Sequence, residues 1–283
     1  VTLPAPLAPG IEPFPGYCLI RFLGRGGWGE VWQARNPKGQ HVALKFLACD
    51  SQIASSQEIR ALQSIRQLSH RHLLRIHQIW CWSGFIVIEM ELAEGSMVDL
   101  LDVYHDETGA CIVPEHLCQF LTQAAAAIDF LNTRQHLLDG QRVAVRHCDI
   151  KPSNLLVLAG NVKVADFSLS ALTTTSMWYH RRVGTLDYAA PEIFQGWLSD
   201  RTDQYALAVS YCELRTGHLP FHDTPDHFDK NYLRPEPDLS LLDTPERAVL
   251  TRALHPVPQN RWSSCREMME RLTHGVRRVR AVC

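Results

Sequence analysis

With 283 residues and a formal charge of −2, the chain is long enough for one large domain or two lobes, and it lacks the basic excess of a nucleic-acid binder. No apolar run reaches the length of a membrane span, so no membrane contact is expected within this chain. Nine scattered cysteines without a C-x-x-C pair, and fourteen histidines without an H-E-x-x-H cluster, argue against a disulfide framework or a zinc site and for reduced thiols in the cytoplasm.

Residues 1–16, with five prolines, read as an extended arm rather than a packed element. The first residue is Val1, so the chain is expected to be excised from a longer protein and cytoplasmic, with a membrane anchor outside it left open as an alternative. From Tyr17, "YCLIRFL", "EVWQAR" and "HVALKFL" predict three strands joined as an antiparallel meander. "SSQEIRALQSIRQLS" has the apolar spacing of a helix with one buried face, and "LLRIHQIWCW" and "GFIVIEMEL" predict two further strands. Beyond "AEGS" the pattern turns helical in "MVDLLDVY" and "EHLCQFLTQAAAAIDFLN", where the alanines allow close packing. A hairpin is predicted around Gly160-Asn161, then helices in "DQYALAVSYCELRTG" and "SSCREMMERLTH". Strands first and helices later predict an α+β architecture: a small antiparallel β lobe with one helix, then a larger, mainly helical lobe.

Gly24, Gly26 and Gly29 form G-x-G-x-x-G, followed by Val31. Glycines let a backbone approach phosphates closely, although glycines also cluster in hairpins that bind nothing. A strand follows them here rather than a helix, which argues against a dinucleotide fold. Strand alternation puts Ala43 and Lys45 on one face, and Glu58 lies in the helix on the side able to meet that lysine. Taken singly, Lys45 and Glu58 are more simply surface charges. Further on, Asp149-x-Lys151-x-x-Asn154 has the spacing of a phosphoryl-transfer loop, with Asp166 following in "ADFS".

G-x-G-x-x-G-x-V, V-A-L-K, H-C-D-I-K-P-S-N, D-F-S and A-P-E, in this order, resemble the protein kinase family from about Tyr17 to about His274. The resemblance implies a bilobal fold: a Pro-rich arm (1–16), an N-lobe (17–89), a hinge (89–91), a C-lobe (92–274) and a tail (275–283). It implies ATP and Mg²⁺ as cofactors, with Mn²⁺ as an alternative, and a protein substrate. Asp149 becomes the base for the substrate hydroxyl, Lys151 the partner of the γ-phosphate, and Asn154 and Asp166 the metal ligands. Lys45, held by Glu58, would meet the α and β phosphates. Leu23, Val31 and Ala43 would roof the adenine, Leu156 would floor it, Ile88 would be the gatekeeper, and Glu89, Met90 and Glu91 the hinge. Thr185 would touch the base and lysine as in serine/threonine kinases. Asp203 would brace the catalytic loop, Glu192 and Arg261 would pair to anchor the activation segment, and His147 and Phe167 would be structural. Dimerisation is not readable.

Two departures from the family matter. Cys148 replaces the arginine that an activation-loop phosphate neutralises in many kinases, which predicts activity without that phosphate; a packing cysteine is the simpler reading than a redox sensor. Ser168 replaces the glycine of D-F-G. The Cys variant, with extra residues in the helix after Glu58 and in "RQHLLDGQRVAV", resembles bacterial eukaryotic-like kinases. Ser153, where kinases selecting basic substrates often carry Glu, predicts no strong preference for arginine just before the phosphorylated residue. The competing reading is a pseudokinase acting as an ATP-binding signalling module. Retention of Lys45, Glu58, Asp149, Lys151, Asn154 and Asp166 argues for the enzyme, and Thr185 with "APEIF" argues against a small-molecule kinase.

Overall fold

The computed structural model describes residues 7–26, 29–48, 62–138, 141–166, 171–172 and 185–280. The chain divides into two compact units: 1–69 with 74–94, and 70–73 with 95–283.

In the first unit, β1 (Cys18–Gly26), β2 (Gly29–Arg35), β3 (His41–Ala48), β4 (Ile76–Trp82) and β5 (Phe85–Met90) form one antiparallel sheet in the order β1-β2-β3-β5-β4. Alternation sorts its residues to two faces. One face buries Trp32, Ala34, Val42, Leu44, Phe46, Phe85 and Val87 with Tyr17 and Leu19. The other buries Leu47, Ile79, Ile86 and Ile88 against Leu62, from the helical residues 62–66. Tight turns join the strands: Ser83 and Gly84 both have positive φ, 46° and 80°, as a two-residue hairpin loop with right-handed strand twist demands.

Residues 7–16 depart from the arm that their composition predicts. Gly10 donates to Leu19 O and Leu19 donates to Ile11 O, both at 2.8 Å. Phe14 inserts edge-on among Tyr17, Trp80 and Trp82, with ring centroids 5.0–5.5 Å apart. Proline fixes φ without preventing packing, and one aromatic ring supplies enough apolar surface to dock residues 7–16 on the sheet.

At Gly29 φ is 147°, and a Cβ there would stand 1.8 Å from Phe46 O. Gly29→Ala is therefore expected to cost about 1–3 kcal/mol by forcing β2 and β3 apart; an unchanged urea midpoint would contradict that strain.

In the second unit, β6 (Gly95–Ser96) pairs with β10 (Leu155–Leu158), which pairs with β11 (Asn161–Val164). The hairpin turn is Ala159-Gly160, both at positive φ, one residue earlier than the glycine signal suggests; Asn161 starts β11 and caps the turn by donating to Ala159 O at 2.9 Å. Helix α1 (Met97–Thr108) opens with a capping box between Ser96 and Asp99 and stops at left-handed Gly109. Helix α2 (Pro114–Asn132) buries Leu117, Leu121, Ala124, Ala125, Ile128 and Leu131. β7 (His136–Leu138) and β8 (Gln141–Val143) form a small hairpin in the long "RQHLLDGQRVAV" segment, and β9 (Val145–Arg146) pairs with β12 (Ala171–Leu172). Then come α3 (Pro191–Phe194), α4 (Thr202–Thr216), α5 (Thr244–Ala253) and α6 (Cys265–Arg280). Helix α4 is buried along almost its whole length, as a central core helix must be.

Residues 70–73 join this second unit although the chain around them belongs to the first. His72 donates from Nδ1 to Val162 O at 3.1 Å, Val164 donates to His72 O at 2.8 Å, and His70 stacks on Phe130. Burial holds both imidazoles below the ordinary 6.5, for His70 with help from His72. The fold thus favours the neutral rings, a contribution present above about pH 6.5 and lost as pH falls through the lowered values. The protection factor of the Val164 amide, read by hydrogen exchange, is expected to drop between pH 7.5 and 5.5. Constant protection would contradict the assignment.

Candidate active site

Within the first unit, the sheet register brings several predicted residues together. Val31 pairs with Lys45, and Lys45 with Ile88, so the three form one cross-strand row, with Ala43 two residues along on the same face. Gly24 pairs with Val31, and Gly26 with Gly29, at the hairpin end of the same strands. Lys45 is buried, as are Ala43 and Ile88. Leu23 is exposed on β1. Glu58 lies outside the described residues, as do Phe167, Ser168 and residues 173–176.

Glu89 faces the opposite way. Its carboxylate accepts from Tyr17 Oη at 2.9 Å and Asn36 Nδ2 at 3.0 Å, at only 2% exposure. Burial and the neighbouring carboxylate push the Tyr17 phenol up to about 12, so it remains a donor. The side-chain chemistry of Glu89 thus ties β5 to β1 and the β2–β3 turn. Glu91 accepts from Arg75 N at 3.1 Å. Sequence spacing gave no sign of the Tyr17–Glu89–Asn36 cluster, because its members are far apart in the chain.

The second unit assembles the catalytic-loop candidates around one carboxylate. Asp149 Oδ2 accepts from Asn154 Nδ2 at 2.9 Å and lies 3.2 Å from Lys151 Nζ. Asp149 Oδ1 accepts from Thr185 N at 3.1 Å, and Lys151 Nζ donates to Thr185 Oγ1 at 2.6 Å. The loop is shaped from beneath. Asp203, fully buried in the first turn of α4, accepts from the backbone N–H of His147 and of Cys148, both at 2.9 Å. That pull holds Cys148 at φ 66°, a left-handed conformation rarely adopted by a non-glycine residue. His147, also fully buried, donates from Nε2 to Ala165 O at 2.9 Å, tying the loop to the end of β11. Asp166 follows at φ 66°. Leu156 sits on β10, opposite Ser96.

Asn154 donates from Nδ2 both to Asp149 O at 2.8 Å and to its carboxylate, which leaves its amide oxygen outside these bonds. An amide oxygen and a nearby carboxylate, Asp166, are the hard oxygen donors that Mg²⁺ takes when phosphates complete its shell. Among the described residues no group of three or more His, Cys, Asp or Glu is gathered for a metal, and a phosphate-borne Mg²⁺ needs none.

The segment after Thr185 is anchored twice. Tyr188, in the 3₁₀ turn 186–188, donates its hydroxyl to Glu213 of α4 at 2.5 Å, and burial raises the pKa of both groups. Glu192 and Arg261, each with about 1% exposure or less, form a bidentate pair at 2.9 and 2.7 Å. Arg261 also donates to the carbonyls of His255, Arg201 and Pro256, so all five of its N–H groups are occupied.

Residues 17–280 match the protein kinase domain family. The chain belongs to that family. It is 31% identical to serine/threonine-protein kinase PknF of Mycobacterium tuberculosis, across 95% of this chain and 58% of the relative. It is 32% identical to CBL-interacting protein kinase 4 of rice (Oryza sativa subsp. japonica), across 88% of this chain and 56% of the relative, and 30% identical to serine/threonine-protein kinase PknD of M. tuberculosis, across 87% and 33%. The chain spans little more than half the length of the first two. It is a protein serine/threonine kinase domain of a family that uses ATP and Mg²⁺. No helix among the described residues is long and apolar enough to cross a membrane.

Proposed function

We propose that this kinase domain transfers the γ-phosphoryl group of ATP to serine or threonine hydroxyls of proteins, and that it does so without a phosphate on its activation loop. The observation that carries the first part is the convergence of Asn154, Lys151 and Thr185 on the Asp149 carboxylate. In this reading Asp149 orients the substrate hydroxyl and accepts its proton as the oxygen attacks. Lys151, already beside Asp149 and Thr185, steadies the negative charge of the group in transit. Lys45 meets the α and β phosphates, and Ala43, Val31 and Ile88 line the adenine side of the same sheet face. Glu89 contributes main-chain atoms only, because its carboxylate is committed to Tyr17 and Asn36. Mg²⁺, held by Asn154 and Asp166, would neutralise charge on the phosphates.

The second part rests on two side chains. Cys148 places a thiol where an arginine would hold a cation in need of a phosphate. Arg146, the nearest candidate to replace it, is 2% exposed and committed elsewhere: it donates to Ser199 O at 3.1 Å, to Asn132 Oδ1 at 2.9 Å and to Asp200. Neither position holds a buried charge waiting for a phosphate partner. Replacing Thr173, Thr174, Thr175 and Ser176 together by alanine is expected to leave kcat on a protein substrate within about threefold, since no charged hydrogen bond of the usual worth is removed. A loss of a hundredfold or more would refute phosphate-independent activity. Protein substrates are the proposed partners, and the cytoplasmic face of a longer, membrane-anchored protein is the proposed location.

A further inference from the structure

Residues 217–243, between α4 and α5, form neither helix nor strand, an unusual length of irregular chain inside a compact unit. Such a segment keeps one conformation only through specific contacts, and Arg234 supplies several of them. The guanidinium lies over the rings of Phe221, Phe194 and Tyr232, with Cζ to centroid distances of 4.5, 5.5 and 5.7 Å. Nη1 donates to Thr224 Oγ1 at 3.1 Å, and Nη2 donates to two carbonyls, Leu186 O at 2.5 Å and Ala189 O at 2.8 Å. Those carbonyls bracket the 3₁₀ turn 186–188, whose leading residue Thr185 is the one joined to Asp149 and Lys151. No carboxylate accepts from Arg234 among its described hydrogen bonds; it is a cation aimed at backbone.

We infer that Arg234 is a positioning residue for the protein substrate, fixing the turn 185–189 from below so that the docking segment and the Asp149 carboxylate keep one register. This rests on the reading of 185–192 as the peptide-docking segment. The physical requirement is for arginine specifically. Two carbonyls, one hydroxyl and three rings are satisfied together by a flat, forked cation, whereas a lysine ammonium is a compact point charge that stacks poorly. The described contacts of Arg234 are to rings, a hydroxyl and carbonyls of this chain, so its effect is expected in how substrate is held.

The test is steady-state kinetics of the whole chain with Mg-ATP and casein, comparing wild type with Arg234→Met, Arg234→Lys and Thr224→Ala. For Arg234→Met, kcat/KM for casein is expected to fall roughly 10- to 100-fold, the worth of about one hydrogen bond to a charged group, mainly through KM for casein. KM for ATP should move by less than about twofold, with Arg234→Lys rescuing only in part and Thr224→Ala showing a smaller loss in the same direction. A parallel rise in both KM values, full rescue by lysine, or unchanged casein kinetics would overturn the inference while leaving the kinase reading intact. Should Arg234→Met not fold, Arg234→Lys and Thr224→Ala decide it by the same split. Absence of casein phosphorylation by the wild type would overturn both readings.

Discussion

Asp149→Asn is expected to lower the rate of phosphoryl transfer to a protein substrate by about 10²- to 10⁴-fold, the usual worth of a positioned general base. Asparagine keeps the shape and loses the proton-accepting charge. Its geometry is also mismatched. The native carboxylate accepts on both oxygens, from Thr185 N on one side and from Asn154 and Lys151 on the other. An amide can accept on one side only, so its NH₂ must face either the Thr185 N–H or the Asn154 and Lys151 donors. The variant should therefore lose about 1–3 kcal/mol of stability as well, as a donor is left facing a donor. KM for ATP should change little, because the nucleotide contacts are assigned to other residues. Rapid-quench measurement of phosphate incorporation checks the rate, and a variant retaining more than a tenth of wild-type transfer would remove Asp149 from the mechanism.

Arg261→Met is expected to produce the largest loss of stability of any single change discussed. Both side chains of the Glu192–Arg261 pair are buried, and the substitution leaves Glu192 with Ser199 Oγ and Thr202 Oγ1 as donors but no cation. Breaking a buried pair from one side typically costs about 3–5 kcal/mol because the remaining charge is uncompensated. In a domain of this size that lowers Tm by roughly 10 °C. The loss is also local: Glu192 sits in α3, directly after the turn carrying Thr185, so activity should fall at temperatures where the fold still holds. Adding Glu192→Gln is expected to recover part of the stability by removing the stranded charge. Calorimetry of the single and double variants checks this, and a double variant less stable than Arg261→Met would contradict it.

The meeting of Asp149, Lys151 and Asn154 was legible because the three are close in sequence. Asp149, Lys151 and Asn154 share one short loop, so spacing alone limits where their side chains can meet. The row of Val31, Lys45 and Ile88 was half legible: alternation assigns Ala43 and Lys45 to one face, whereas the cross-strand partner of Lys45 depends on register. Proline count misled at residues 7–16, where the decisive feature is the single ring of Phe14. The turn at Ala159-Gly160 slipped by one because glycine is common at either position of such a loop. Contacts across long separations left no local trace: Tyr17 and Asn36 on Glu89, Arg146 on Ser199 and Asp200, and Arg234 on Leu186 and Ala189. Each is a polar side chain in an otherwise unremarked position, and only the fold supplies its partner. Residues 70–73 are a further case, since their membership of the second unit follows from the ring and the carbonyl of His72 meeting β11 and from His70 stacking on Phe130.

If this chain itself moves phosphate from ATP to protein, the transfer should depend on Asp149. Intact-mass spectrometry after incubation with Mg-ATP and casein, on wild type and Asp149→Asn side by side, tests it most directly. Phosphate additions of about 80 Da on casein are expected with wild type and almost none with the variant, as removal of the base requires. Equal addition by both proteins, or none by wild type with nucleotide bound, would contradict it.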